Sequence, residues 1–476
     1  MLEIICPTTY PAERYYILDL LLREFWGLEY RLSKSDKTKD KTLFRRGAST
    51  LIIHDGLFRT PNAVWLRKDS LPTIPLKQWN VAKDFSELSW ILPCPVIYTA
   101  GILDYPVMIG ADTIEFDVDI LGTIFFMLTR YEEIVNTTRD RHGRFPAVAS
   151  LAYRADFLGR PLANEYMEIM WAAMSRLFPD LRRKQRKFRL ILTHDVDHPF
   201  GMMYESYAQV LRHLMGDLLR RKSLAAAIRR IQDVWDIIFH KDAYIDYKKE
   251  TYSFLYQISR KYRLKDIFFF MNSRRSYLDG NYLVSEPEVQ TLLREIHKEG
   301  HFVGLHPSYL SFEDKAEILK ETVHANQLFQ ENGLPPVEGG RQHYLRWANP
   351  DTWQSYEDAG IPSDSSLGYA DQVGFRCGIC YEYPVFNLLS RCKLHLRERP
   401  LIVMDVTLTD YMHLSKTEAM KKVLTLAREC MRYSGDFVVL WHNTTLNHQS
   451  NRVFYTEMIE RIFLEYDGRE RNNRSK

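Results

Sequence analysis

The chain has little cysteine, almost no net charge and no long apolar run, and each shortage removes a class of protein. Six scattered cysteines in 476 residues do not make a disulfide framework. Cys377-Gly378-Ile379-Cys380 has the spacing of half a zinc site or a redox pair, but with no second pair it reads as two reduced loop cysteines. A formal charge of +3 gives no global field for holding nucleic acid, so nucleic acid is not an expected partner. No run approaches the roughly 20 apolar residues of a spanning helix. Residues 1–7 lack a charged stretch followed by a long apolar core, and the expected location is cytoplasmic.

What is present suits an α/β protein in two parts. Hydrophobic residues at 45% and charged residues at 26% fit a soluble chain with a sizeable core, and 13% aromatics leave some over for stacking on sugars. A length of 476 residues exceeds what one core usually serves. Residues 181–188, Leu-Arg-Arg-Lys-Gln-Arg-Lys-Phe, form a basic run that reads as a linker. Ahead of it, residues 1–180 are expected to be a smaller α/β domain, with strands at 51–53 and 95–99 and a helix over 120–133. Its Asp117-Val118-Asp119 triplet stands at the start of that helix, where capping and the macrodipole account for the carboxylates.

Beyond the linker, strands alternate with helices: 189–195, 266–271, 301–306, 340–344, 401–408 and 437–441 read as strands. Ser285-Glu286-Pro287-Glu288 is read as a capping box for a helix closed by Gly300, Asn349-Pro350 opens a helix closed near Gly360, and Ser415-Lys416-Thr417-Glu418 opens one closed near Gly435. A βα series with no glycine-rich phosphate loop after its first strand predicts a (β/α) barrel, regular or incomplete, over 189–466. A helical insert falls at about 201–262 and a polar tail at 467–476.

Unusual residues collect at the strand ends. Asp195 and Asp197, His306, Arg341 with His343, and His442 all lie at or just past the carboxyl ends of predicted strands, where barrel enzymes place their chemistry. Strand parity puts Thr193 and Asp195 on one face with His194 on the other, and pairs Arg341 with His343. Asp195-Val196-Asp197, Gly300-His301-Phe302-Val303-Gly304-Leu305-His306, Arg341-Gln342-His343-Tyr344 and Leu440-Trp441-His442-Asn443 occur in the order of the motifs of the NodB-homology polysaccharide deacetylases, and each resembles one of them.

That resemblance covers roughly 189–450. It implies a distorted (β/α) barrel, a divalent metal that is commonly zinc, and hydrolysis of acetyl groups on an N-acetylated sugar, polysaccharide or glycolipid precursor. It implies that Asp195 is the general base, Asp197 and His306 metal ligands, Arg341 the arginine that orients the base, and His442 the general acid. Tyr344 matches the position whose backbone amide helps hold the oxyanion. Tyr344, Asp364 and Trp441 are the residues expected to touch substrate. The chemistry asks for these types: an amide must be polarised, a water must lose a proton, and the departing amine must gain one.

Two positions depart from the family. Its second metal histidine is here Leu310, which cannot ligate, and His343 stands where its arginine motif has proline. His343, sharing a face with Arg341, is expected to supply the missing ligand, with His198 as runner-up, because catalytic zinc normally takes three protein ligands. The alternative is a degenerate deacetylase fold that binds a glycan without hydrolysing it. Residues 210–240 read as one or two amphipathic basic helices, packed over the barrel mouth or touching a membrane surface. Asp405, inside a predicted strand, needs a partner, for which the site's own cations are candidates.

Overall fold

The computed structural model describes residues 1–219 and 222–474. Eight strands occupy the first half: β1 (Leu2–Cys6), β2 (Tyr30–Lys34), β3 (Lys41–Arg46), β4 (Ser49–His54), β5 (Lys77–Trp79), β6 (Cys94–Val96), β7 (Val107–Ile109) and β8 (Thr113–Phe116). Six of them form a mixed sheet in the order β2-β1-β3-β4-β8-β7. The helix expected over 120–133 breaks in two, Ile120–Leu128 and Tyr131–Val135, because Arg130 takes a left-handed backbone with φ 52°. Asp119 caps the first piece by accepting from the Gly122 amide, while Asp117 accepts from the amides of Ile102 and Leu103.

The second half carries β9 (Arg189–Val196), β10 (Ile267–Met271), β11 (Phe302–His306), β12 (Ser363–Asp364), β13 (Tyr383–Asn387), β14 (Cys392–Glu398), β15 (Val403–Met404) and β16 (Asp436–Leu440). Five pair in parallel in the order β11-β10-β9-β16-β15. β10, Ile-Phe-Phe-Phe-Met, is buried at every position, as a central parallel strand covered on both faces must be. The sheet continues past β11 only by single parallel bridges, Leu305 to Gly340 and Gly340 to Asp364, and then β12-β14-β13. The strand expected at 340–344 is thus one bridge followed by a tight turn at His343–Leu345, and that expected at 401–408 shrinks to β15 before a helical turn at Thr407–Tyr411.

Gly340 lies three strand positions from β9, about 14 Å in a flat sheet. Yet Arg341 Nη1 sits 2.9 Å from Asp195 Oδ1, so the sheet must curl. It does not close: no ladder joins β15 to β14 among the described residues, so of the regular and the incomplete barrel that were expected, the regular, closed one does not form.

Helices follow their signals with two exceptions. Ser415 forms the reciprocal capping box with Glu418, and Gly360 ends Asp351–Ala359 at φ 74°. No capping box forms at Ser285, since Glu286 is the cap of Pro287–Lys298 and makes no side-chain bond. The expected polar tail is helical as far as Arg474 in Gln449–Arg474, residues 475 and 476 lying outside the described part. The insert is two helices, Tyr207–Leu219 and Leu224–Phe239, leading into Lys241–Tyr262.

The halves share buried surface. Tyr16 packs 5.0 Å from Phe386 and donates to the Pro384 carbonyl at 2.8 Å. Arg376 meets Glu133 at 2.6 Å with both side chains buried, and Arg130 donates to the Arg376 carbonyl. No helix among the described residues is long and apolar enough to cross a membrane.

Candidate metal centre and active site

β9 brings Thr193 and Asp195 to one face, as parity requires. Arg341 Nη1 donates to both, at 2.8 Å to Thr193 Oγ1 and 2.9 Å to Asp195 Oδ1. Its Nη2 and Nε bond Ser365, and its guanidinium lies 4.6 Å above the Phe269 ring. A fully buried arginine held on so many sides cannot turn away, so it fixes the orientation of Asp195. His194 points the other way, to the Trp441 carbonyl and to Asp266, and is structural.

Asp197, His306 and His343 present one ligand atom each, all within 4.8 Å of one another. His306 Nδ1 donates to the Arg341 carbonyl at 2.5 Å, and His343 Nδ1 lies 3.1 Å from Asp279 Oδ1. A carbonyl and a carboxylate only accept, so both histidines carry their proton on Nδ1 and turn an Nε2 lone pair toward Asp197, at 3.4 and 3.8 Å. Asp197 Oδ1 is buried with no hydrogen-bond partner. A buried, orphaned carboxylate oxygen facing two imidazole lone pairs suits a cation, and the donor set of two nitrogens and one oxygen suits zinc.

The surrounding charge points the same way. Asp195, Asp197, Asp279 and Asp405 converge here against the single guanidinium of Arg341. Burial would raise the Asp197 pKa, but the imidazoles beside it, His306 first and then His343 and His442, hold its carboxyl well below the usual range. Burial pushes His343 down toward the neutral form that a ligand requires. Burial works the same way on His306, but there Asp195 and Asp197 prevail and raise it, so a cation at Nε2 competes with a second proton.

His442 stands across the cleft, its Nε2 3.9 Å from Asp197 Oδ2. Its Nδ1 lies 2.7 Å from Asp405 Oδ1 and its amide donates to Asp405 Oδ2, so the partner of Asp405 is the candidate acid itself. Burial alone would favour loss of the His442 proton, but Asp405, with Asp197 and Asp195, pushes its pKa up to about 10. A histidine so placed keeps a proton on Nε2 until something takes it.

Not every expected residue reaches this point. Asp364 is fully buried, and its Oδ1 accepts from the Ser366 amide and hydroxyl; it orders the loop beneath Arg341 instead of meeting substrate. Trp441 is buried against Phe454 and Tyr455. His198 is outside the ligand cluster, its carbonyl accepting from Asn443. Leu310 is 48% exposed. Tyr344 does line the cleft, half-buried, with a left-handed backbone at φ 62° and its ring 4.8 Å from His343.

Asp279 was not singled out from the sequence. It lies on the loop between β10 and the next helix, with only the turn signal Asp-Gly to mark it. Its Oδ1 also accepts from the Tyr309 amide at 2.7 Å, and Gly280 beside it packs so closely that a Cβ would strike the Asp197 carbonyl.

Residues 2–179 match the model of a family of unknown function, DUF7033. No curated protein matches the chain. Among solved structures, a candidate polysaccharide deacetylase from Mycobacterium smegmatis is 15% identical, with TM-score 0.39 over 59% of this chain and 85% of its own. A CE4-family pseudoenzyme from Bacillus anthracis is 12% identical, with TM-score 0.30 over 59% of this chain and 62% of its own. The Xyl-CE4 domain of a multidomain xylanase from the hindgut metagenome of Trinervitermes trinervoides is 11% identical, with TM-score 0.28 over 60% and 85%.

Proposed function

We propose that the protein is a metal-dependent hydrolase that removes acetyl groups from an N-acetylated sugar, in a polysaccharide or a glycolipid precursor. The observation that carries this is the convergence of a buried base held by an arginine, a three-residue cation cradle and an acid backed by a carboxylate. Asp197, His306 and His343 would hold a divalent cation, commonly zinc. When bound, such a cation polarises the acyl carbonyl and acidifies a water.

The chain's residues do the rest. Asp195, oriented by Arg341, takes the proton from the attacking water. Tyr344, in the turn beside His343, offers its backbone amide to the oxygen that becomes negative. His442 gives its Nε2 proton to the departing amine while Asp405 holds Nδ1. Leu310 leaves the cradle intact, because His343 supplies the third donor from a different segment.

Metal analysis with an acetate-release assay on N-acetylated oligosaccharides tests the reading. Wild type is expected to hold one divalent ion and release acetate, His343→Ala to lose the ion, and Asp195→Asn to keep it while losing turnover. A wild type without stoichiometric metal removes the hydrolase reading. A metal-loaded protein that binds glycan without turnover makes it a glycan-binding protein.

The insert favours a substrate held at a membrane surface. Leu211, Leu224, Ile231, Trp235 and Phe239 are each more than half exposed on two adjacent helices that also carry Arg212 and Arg229. An apolar patch with cations is suited to anionic headgroups. The basic pair Arg220 and Arg221 falls outside the described residues. Co-sedimentation with phosphatidylserine vesicles is expected for wild type and lost in Ile231→Glu/Trp235→Glu; equal sedimentation of both ends the membrane reading.

A further inference from the structure

We infer that residues 139–146 of the first half form the outer wall of the substrate cleft and an anion subsite there, for a phosphate or carboxylate carried by the acylated sugar. The sugar in this statement rests on the deacetylase reading; the anion does not.

The loop is built to reach across. Asp140 Oδ1 accepts from the amides of His142 and Arg144, its Oδ2 from Arg144 Nε, and Gly143 turns at φ 75°. The turn throws His142 and Arg144 onto the site. The His142 ring lies 4.9 Å from that of Tyr344, and its Nδ1 is 3.0 Å from the Tyr309 hydroxyl. Arg144 donates to the Tyr344 carbonyl at 3.0 Å and to the Tyr411 hydroxyl at 3.2 Å. The Tyr344 and Tyr309 side chains lie between this loop and His343.

Charge distinguishes the wall from the floor. The guanidinium groups of Arg141, Arg144 and Arg346 gather round His142: Arg141 Nε donates to its Nε2 at 3.1 Å, and Arg346 Nε donates to its carbonyl at 2.7 Å. Burial first, then these cations, hold its imidazole below the ordinary histidine range. Among the described residues Arg144 pairs with Asp140, while neither Arg141 nor Arg346 has a carboxylate within ion-pair distance. Arg346 is fixed between the rings of Tyr309 and Phe312, and Arg141 is exposed and able to turn toward a ligand. The cation cradle is rich in carboxylates and the rim is rich in guanidinium. An acylated sugar with an anionic substituent is oriented by both at once, its acyl oxygen inward and its anion at the rim.

The test uses the full chain and equilibrium titration with pyrophosphate, inorganic phosphate and glucuronate. At least one is expected to saturate, with binding weakened tenfold or more in Arg141→Glu, unchanged in Arg31→Glu on the exposed face of β2, and retained in His306→Ala. Preference for the phosphates identifies a phosphorylated sugar, and preference for glucuronate a uronic acid. Saturation by none, equal binding by Arg141→Glu, or loss in His306→Ala, which would put the anion on the cation cradle, overturns the subsite. Anion binding that obeys these variants in a protein releasing no acetate leaves the subsite standing and removes the deacetylase reading alone.

Discussion

Asp279 holds Nδ1 of His343 at 3.1 Å, and a histidine proposed as a ligand is only as well aimed as the group on its far nitrogen. Asparagine at 279 keeps the shape and removes the charge. Asp279→Asn is expected to weaken divalent-metal affinity by about 10- to 100-fold, measured by chelator competition, with His306 and Asp197 intact. His442 and Asp405 form the matching pair on the other side of the cleft. Asp405→Asn is expected to leave metal content unchanged while lowering kcat by about 10²- to 10⁴-fold, since the acid loses the group that keeps its proton on Nε2. Unaltered kcat in that variant would free His442 from the role of proton donor.

At the scale of elements, the segment after β11 shows how a helix and a loop share one titrating group. Glu321, on the helix Lys315–Glu331, accepts from the amide and hydroxyl of Ser308, just past the His306 end of β11. Burial raises its pKa to about 7, against the pull of those two bonds. A carboxyl raised in the folded state binds its proton more tightly there than in the unfolded chain. Its stabilising contribution is therefore complete below the ordinary value of 4.5 and lost as pH rises through about 7, a difference of roughly 3 kcal/mol. Glu321→Gln should flatten that loss. Urea unfolding at pH 5 and pH 8 measures it, and an equal pH dependence in the variant would dismiss Glu321 as its source.

For the whole molecule, the first half is part of the core that supports the cleft. Arg376 donates to Glu133 through both Nε and Nη2, and both side chains are buried between the halves. Removing one member strands the other charge without water. Arg376→Ala is expected to cost about 3–5 kcal/mol of unfolding free energy, read from denaturant midpoints. A loss below 1 kcal/mol would show that the pair is solvated. The Arg144 and His142 contacts carry the same dependence to Tyr344 and Tyr309, so the two halves are joined both through their buried core and beside the site.

The strand ends were legible because parallel strands buried on both faces read as apolar runs, and polar residues at their carboxyl ends then stand out. Thr193, Asp195, His306 and His442 were visible in this way, and parity separated His194 from Asp195, whereas Arg341 and His343 follow a single bridge at Gly340 and a turn where a strand was expected. Asp279 and the loop 139–146 were not, since turn residues carry no period and their partners lie far along the chain. Asp364 and Trp441 were misplaced by their nearness to motif residues: adjacency in sequence does not say which neighbour a fold buries. The local pattern by itself determined which residues sit at the ends of β9, β11 and β16 and which face each one takes, because side-chain direction alternates with the backbone. Only the curled sheet decided which of those ends meet, that His343 lies beside Asp197 and His306 while Leu310 is exposed, and that His142 and Arg144 of the first half touch Tyr309 and Tyr344, because convergence depends on long-range packing that no local pattern contains.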